Sequence, residues 1–466
     1  MKSFWDNEKS ENKEFENLQD NIKSEICIIG GGITGLSTAY YLSKNGKEVV
    51  VLEKDRICSH TSGKTTGKIT SQHGLIYKYL NDEHGKEVAK KYYEANEKAL
   101  KNIKQIIEDE KIECDFENRN AYVYTQTSNE LEKIKQEVKI TKKIGIDSEF
   151  VESLDIPIQI QGAIKFKNQA QFNPTKYAYG LSKSILTNNG KIFENSSVID
   201  VTKSDDKYII STEFGSVTSK YVVIATRYPI IKFPGYYFLK MYQSTSYVAI
   251  YDTRTDFKTD GIFINEEEPK NSFRSVKYGD KNFLLACGYD YKTGSEIIGN
   301  AFDYLDKKVK NMFPDAKKLE YWTAEDCISL DKIPYIGEFS NVMDNVYVAT
   351  GFNKWGMTSA NISSNIIKNE ILNIDDDMNK YKEIFRSSRL EPIKNKDEIL
   401  NMMKDSSEGI IAKRLKTKKT PTCTHLGCKL SFNPIEETWD CMCHGSRFLK
   451  NGEVLESPAN KNIEVD

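Results

Sequence analysis

The chain has 466 residues, 39% of them hydrophobic and 29% charged, with a formal net charge of −2. That length exceeds what one core holds and implies two or three domains. The near-neutral balance excludes a field built for nucleic acid or an anionic membrane, and no apolar run reaches the roughly 20 residues of a membrane span.

The first segment, 1–24, is polar and acidic. It lacks the apolar stretch of a signal peptide, so a cytoplasmic protein is expected. Glu25-Ile-Cys-Ile-Ile-Gly30 then reads as a strand, Leu36 to Lys44 as a helix and Glu48 to Leu52 as a second strand. Between strand and helix lies Gly30-Gly-Gly-Ile-Thr-Gly35. Alone, G-x-G-x-x-G is a weak pattern, but here it stands in the strand–turn–helix context that it requires. Gly30 permits the turn, Gly32 lets backbone approach a pyrophosphate, and Gly35 lets the helix close on the strand. Thr34 opens the helix, whose N-terminus supplies partial positive charge. Glu53 ends the second strand, where a carboxylate accepts from ribose hydroxyls. The pattern does not choose between FAD and NAD.

Helical periodicity follows over about 77–111 and 129–143, then a helix, an Asn-Asn-Gly turn and a strand over 180–201. Tyr221 to Thr226 and Asn345 to Thr350 read as core strands, and 233–319 as strands with turns. Residues 373–407 are charged and helical in character.

Cys27, Cys58, Cys114, Cys287 and Cys327 are scattered and read as small hydrophobes in a reducing compartment. The other four cysteines crowd with two of the five histidines into Cys423-Thr-His-Leu-Gly-Cys428 and Trp439-Asp-Cys-Met-Cys-His-Gly-Ser-Arg-Phe448. One pair is C-x-H and the other C-x-x-H. Zinc is one reading of such a set. The C-x-H spacing is unusual for a zinc finger, and zinc leaves two cysteines unexplained.

Residues 25–375 resemble the glycine oxidase/D-amino-acid oxidase family of flavoproteins. The resemblance rests on the fingerprint and on Thr61-Ser-Gly-Lys-Thr-Thr-Gly-Lys68, Phe172-Asn-Pro174, Ser197-Val-Ile-Asp-Val201, Ala225-Thr226, Asp331-Lys-Ile-Pro-Tyr-Ile-Gly337 and Ala349-Thr-Gly-Phe-Asn-Lys-Trp-Gly-Met-Thr358. The family's usual glycine after Thr226 is Arg227 here. The resemblance implies an α/β fold, a Rossmann-like FAD-binding domain with an inserted α+β substrate domain. The FAD-binding parts are expected at about 25–75, 155–232 and 325–375, and the substrate parts at 76–154 and 233–324. FAD would meet Lys54, the hydroxyl-rich loop of Thr61, Ser62, Thr65 and Thr66, then Val198, Thr226, Gly351, Trp355, Gly356, Met357 and Thr358. In the last of these motifs a helix N-terminus would stabilise charge on the reduced ring.

The substrate side carries less signal. Lys354, inside the flavin motif, is a catalytic candidate facing the ring. Arg274, with Lys292, is a candidate for an anionic substrate, a surface position being the alternative. Tyr242, Tyr247, Tyr278 and Tyr289 could line a pocket.

The segment 408–466 resembles a small all-β Rieske domain, with 376–407 as a helical linker. The resemblance implies a [2Fe-2S] cluster, one iron held by Cys423 and Cys441 and the other by His425 and His444. It further implies a Cys428–Cys443 disulfide and a cluster hydrogen bond from Ser446. Phe448 stands where the subfamily has a second donor, so a lowered reduction potential is expected. The stretch from Gly409 to Cys423 is short for the usual base, and Ser457 replaces a loop glycine. The expected function is oxidation of a C–N bond in a small amine or amino acid, with electrons leaving through the cluster to an unidentified acceptor. The rivals are an oxygen-reducing amine oxidase with a structural or vestigial Rieske module, and a non-catalytic redox sensor.

Overall fold

In the computed structural model, residues 2–6, 14–231, 233–297, 299–389 and 420–465 are described. The first sheet starts with β1 (Asn21–Ile29) and β2 (Val49–Leu52), whose apolar residues are buried on both faces, as parallel strands require. β3 (Lys68–Ile69), β4 (Glu117–Thr125), β5 (Ser148–Val151) and β6 (Gly162–Gln171) belong to a second sheet. The chain then returns to the first with β7 (Lys191–Phe193), the hairpin β8 (Asp200–Ser204) and β9 (Lys207–Ser211), and β10 (Ser216–Ile224). β11 (Met241–Asp252), β12 (Gly261–Asn265), β13 (Asn271–Tyr278), β14 (Lys281–Lys292) and β15 (Lys317–Ser329) complete the second sheet. β16 (Tyr335–Glu338) and β17 (Val346–Thr350) complete the first.

The first sheet runs β16-β17-β10-β1-β2-β7, and β10, β1, β2, β7 and β17 are joined in parallel. The helices Ile33–Lys44 and Gly356–Leu372 pack on it side by side, and Thr38 Oγ1 and Ser364 Oγ share a 3.0 Å hydrogen bond. The second sheet runs β15-β11-β14-β13-β12-β4-β6-β3. A third, antiparallel sheet is formed by β18 (Leu430–Asn433), β19 (Thr438–Cys441), β20 (Arg447–Leu449) and β21 (Val454–Glu456).

Several boundaries differ from expectation. β1 begins at Asn21, and Trp5 and Leu18 are 1% and 2% exposed, so the described residues of the first segment are packed and do not form a free polar tail. Its few large apolar residues are what the rest of the fold holds. β3 and β6 sit in the second sheet rather than with the nucleotide parts, and β15 starts at Lys317, ahead of residue 325. The helices Ile76–His84 and Lys86–Asp109 place Leu80, Ala99 and Ile103 in one cluster with Leu36 and Ile362, so they join the nucleotide-binding layer. Residues 197–199 are not strand, which begins at Asp200. Of the expected linker 376–407, the described part to residue 389 is docked. Phe385 is fully buried, and the Arg389 guanidinium pairs with Asp331 at 2.6 Å. Residues 390–407, and 408–419 of the C-terminal segment, lie outside the described residues.

Candidate functional site

A cavity of about 1470 Å³ runs between the two large sheets. Pockets for a single small ligand are roughly 300–1,000 Å³, so this one has room for a dinucleotide and a substrate. Gly30, Gly32, Thr34, Glu53 and Lys54 line one end, and Val198 and Thr226 lie along it. A Cβ on Gly35 would meet Gly30 O at 1.9 Å, and one on Gly32 would meet Ser62 Oγ at 2.9 Å. Gly35 is therefore a packing residue and does not line the cavity. Glu53 accepts from Gly31 N at 2.6 Å and Asp55 N at 3.1 Å, which ties the glycine turn to the end of β2.

The helices Ile33–Lys44 and Gly356–Leu372 both start at the cavity, after Gly32 and Trp355, neither of which caps its helix with a side chain, and Ser62 Oγ accepts from Ile33 N at 3.0 Å. Their first N–H groups and dipole ends suit phosphate and the negative charge of a reduced isoalloxazine ring. Asn353 and Lys354 take φ of 53° and 72° to make the turn into the second helix. Gly351, Trp355, Gly356 and Met357 line the cavity. Thr358 does not, and among the described residues its buried hydroxyl has no hydrogen-bond partner.

The loop from Thr61 to Lys68 crosses the same cavity, with Thr61, Ser62, Thr65 and Thr66 all lining it. Its consecutive carbonyls are held from outside. Ser3 Oγ donates to Gly63 O at 2.6 Å, Trp322 Nε1 to Lys64 O at 2.8 Å and Trp5 Nε1 to Thr65 O at 2.8 Å. Arg274 Nε donates to Thr66 O, and Phe172 N to Gly67 O at 3.1 Å. With trans peptides, carbonyls drawn outward turn the N–H groups that follow them inward.

This corrects the expectation for Arg274. It does not line the large cavity, and its guanidinium also donates to Ser275 O at 2.8 Å and Phe172 O at 3.4 Å. Burial pulls its pKa down to about 9. It fastens the loop instead of meeting substrate, because β13 carries it beyond the cavity's edge. Lys292 does not line the cavity either, and of the four tyrosines only Tyr242 does.

Lys354 does line the cavity. It pairs with Asp290 at 2.6 Å and donates to Ser246 Oγ at 3.2 Å. Sequence reasoning missed its neighbours Asp290, Asp326, Ser244 and Lys68. Asp290, Asp326 and Ser244 come from strands that carry no motif, and Lys68 ends the hydroxyl-rich loop, where the hydroxyls drew the reading. Lys68 donates to Ser272 Oγ at 2.5 Å, and burial pulls its pKa down to about 8.

β11 and β15 form a wall with two different faces. Tyr242, Ser244, Ser246 and Val248, with Ala324, Asp326 and Ile328, face the cavity. The alternate residues meet the C-terminal module. Gln243 Nε2 donates to His444 O at 2.6 Å and Ser457 O at 2.9 Å, Thr323 donates to Glu436 at 2.7 Å, and Glu325 pairs with Arg447. Arg447 also pairs with Glu436 at 2.7 Å and Asp440 at 3.1 Å. Arg227 reaches Glu456 at 3.0 Å, and Lys64 and His60 each reach it at 3.4 Å. Burial pushes the Glu456 carboxyl up, but Arg227, His60 and Lys64 together hold it well below its ordinary range. Residues 454–460 close one side of the cavity.

In the module, two loops repeat one design. Gly427 N donates to Cys423 O at 2.9 Å, and Gly445 N to Cys441 O at 2.7 Å. Cys423 N donates to Cys428 O, and Cys441 N to Ser446 O, each at 2.8 Å. Gly427 and Gly445 take φ of 79° and 75°, the left-handed turn that glycine adopts without strain. The loops are joined by a Cys428–Cys443 disulfide with Cα atoms 6.5 Å apart. Cys423, Cys441, His425 and His444 are brought together and buried, and the two imidazole centroids are 5.0 Å apart. A hydrogen bond with Cys441 lowers the Cys423 thiol to about 6, while the Cys441 thiol is driven up, as for two sulfurs aimed at one point. Two thiolates and two neutral imidazoles are the donor set of a Rieske [2Fe-2S] centre. Ser446 Oγ supports Cys423 and accepts from Ala459 N at 3.0 Å. Phe448 is fully buried in the module's core.

The family model of FAD-dependent oxidoreductases matches residues 25–369, and that of the Rieske [2Fe-2S] domain matches residues 417–465. A Bacillus subtilis protein, YhfW, named for a Rieske 2Fe-2S centre, is 30% identical over 97% of this chain and 94% of its own. Gamma-glutamylputrescine oxidoreductase of Escherichia coli is 24% identical over 76% of this chain and 84% of its own. Glycine oxidase from Geobacillus kaustophilus superposes with a TM-score of 0.65 at 14% identity, covering 80% of this chain and all (100%) of that one.

Proposed function

The chain belongs to the FAD-dependent oxidoreductase family and ends in a Rieske [2Fe-2S] domain, and from that premise we propose that it oxidises a C–N bond of a small amine or amino acid and passes the electrons from FAD to its own cluster. Bound FAD supplies a hydride acceptor. The substrate loses two electrons and two protons to become an imine, and an external one-electron acceptor takes the electrons from the cluster.

Gly30, Gly32, Thr34 and the loop of Thr61, Ser62, Thr65 and Thr66 would hold the pyrophosphate. Glu53 and Val198 would hold the adenosine end. The start of the helix Gly356–Leu372 would carry the ring's negative charge. Lys354, oriented by Asp290, would stand at the ring's reacting side. Cys423, Cys441, His425 and His444 would hold the cluster. Imidazole ligation raises its potential above that of all-cysteine clusters, which favours accepting electrons from a flavin.

One observation supports this reading: the flavin motif and residues 454–460 of the C-terminal module line one cavity, and the His425 ring stands against Tyr228, which also lines it. Tyr228, two residues after Thr226, lies 6.2 Å from the His425 ring centroid, and Phe238 lies 5.9 Å from that of His444. The short base of the module supports the same reading. Ile435 packs against Tyr247 and Phe302 of the flavin domain, so that domain supplies the surface a longer base would provide.

The test is anaerobic. A substrate that bleaches the flavin should raise the EPR signal of the reduced cluster at a rate independent of protein concentration. A bleached flavin beside an oxidised cluster would overturn the relay. Among the described residues no helix is long and apolar enough to cross a membrane.

A further inference from the structure

We infer that the hydroxyl of Tyr228, a residue of the flavin domain, is a hydrogen-bond donor to the iron–sulfur cluster. The inference rests on the cluster and on the docking of the module, and it needs no substrate to be oxidised. Tyr228 is 3% exposed, and its ring stands across that of His425, with centroids 6.2 Å apart and planes at 82°. Its carbonyl accepts from Thr226 Oγ1 at 2.9 Å, and Arg227 O beside it accepts from Thr350 Oγ1 at 2.6 Å. The turn that carries the side chain is thus fixed by the flavin domain.

The hydroxyl itself is buried, and among the described residues it has no hydrogen-bond partner. A buried hydroxyl left unpaired bears its full desolvation cost, so an acceptor is called for. The residue borders the large cavity, but its hydroxyl is not open to it, so a ligand lying there is not that acceptor. The ionisable groups that act on the hydroxyl are Cys327 on β15 and Cys441 in the ligand loop. Burial pushes the Cys327 thiol up to about 12, so it stays protonated, and a neutral thiol accepts weakly. Cys441 binds iron as a thiolate, a much stronger acceptor. Within the module Ser446 supports Cys423, and the fully buried Phe448 offers no donor. The flavin domain therefore supplies a donor that the module lacks. Hydrogen bonds to the sulfurs favour the reduced, more negative cluster, so this one offsets the lowered potential expected from Phe448 while the module is docked.

The test uses the FAD-loaded full chain with its cluster reduced by dithionite. Tyr228→Phe keeps the ring and removes only the hydroxyl. Iron and FAD should stay at parental content. The cluster's electron affinity should fall about threefold, a midpoint shift of about 28 mV downward at about 59 mV per tenfold for one electron. Electron–nuclear double resonance in H2O against D2O reads the bond itself. Tyr228→Phe should remove one exchangeable proton coupled to the reduced cluster, in the parent and in a Ser446→Ala background alike. Tyr208→Phe is the control. It removes a buried hydroxyl that donates to Asp344 O at 2.9 Å, and it should change neither reading. An unchanged potential in Tyr228→Phe overturns the inference, and so does an undiminished set of exchangeable couplings. An equal shift in Tyr208→Phe overturns it as well, since the loss of any buried hydroxyl would then suffice. No substrate enters these readings. The proposed C–N oxidation can therefore fail while the donor stands, and the donor can fail while electrons still pass from flavin to cluster.

Discussion

The two cofactor sites are built from different materials. The flavin cleft is mostly backbone: glycine turns, two helix N-termini and a loop whose carbonyls are fastened from outside. The cluster module is mostly side chain: four candidate donor residues, a disulfide and one supporting hydroxyl. A backbone site fails when its shape changes, whereas a donor site fails when its chemistry changes. Between them lies a third kind of construction, a buried charge network in which Arg447 meets three carboxylates.

The largest expected effect is on the donor site. Cys441→Ser should abolish the cluster's EPR signal and its iron, while bound FAD stays as in the parent. Retained iron would mean that Cys441 is not a ligand. Arg447→Met comes next, because it strands Glu436 and Asp440 in the interior and leaves Glu325 only Arg227 and Lys64, at 3.5 and 3.8 Å. Breaking such a buried set costs roughly 3–5 kcal/mol, read as a fall in the urea midpoint of the module. Gly35→Ala tests the backbone site. Its Cβ would overlap Gly30 O at 1.9 Å, so FAD is lost, at a stability cost of about 3 kcal/mol, with the cluster signal unaffected.

A pH effect is smaller. Glu456 is held below its ordinary range, so its contribution is complete above about pH 4.5, near the unfolded value, and is lost as pH falls below it. Acid titration of module docking should show this loss, and Glu456→Gln should flatten it. The smallest effect is Ser446→Ala. Removing one hydrogen bond to the Cys423 sulfur should keep the cluster and lower its reduction potential by on the order of 50 mV. An unchanged potential would detach Ser446 from the cluster's electronics.

Legibility in the sequence followed how local each feature is. The strand, glycine turn and helix from Ile26 to Lys44 lie within one short stretch, and so does each ligand loop. The Phe172-Asn-Pro174 motif is local in the same way, and the structure gives Asn173 its role. It caps its helix by accepting from Thr175 N and Lys176 N at 3.1 Å, with Pro174 in the first turn. Arg274 was misread because a cation among strands looks available until its partners are known, and those partners belong to Thr66 and Phe172, more than a hundred residues away. Trp5 was missed because one tryptophan in a polar segment carries no periodicity.

The sequence by itself determined a dinucleotide site and a Cys/His metal site, since glycine spacing and Cys/His spacing are steric and chemical demands met by neighbours in the chain, and the family resemblance of the flanking motifs narrowed these to FAD and a [2Fe-2S] cluster. Only the tertiary structure decided the wall between them. Alternation along β11 and β15 announces two faces, but period-two patterning does not say what covers each. That Ser244 and Asp326 face the flavin cavity, while Gln243 and Glu325 hold the cluster module, follows from packing three sheets drawn from opposite ends of the chain.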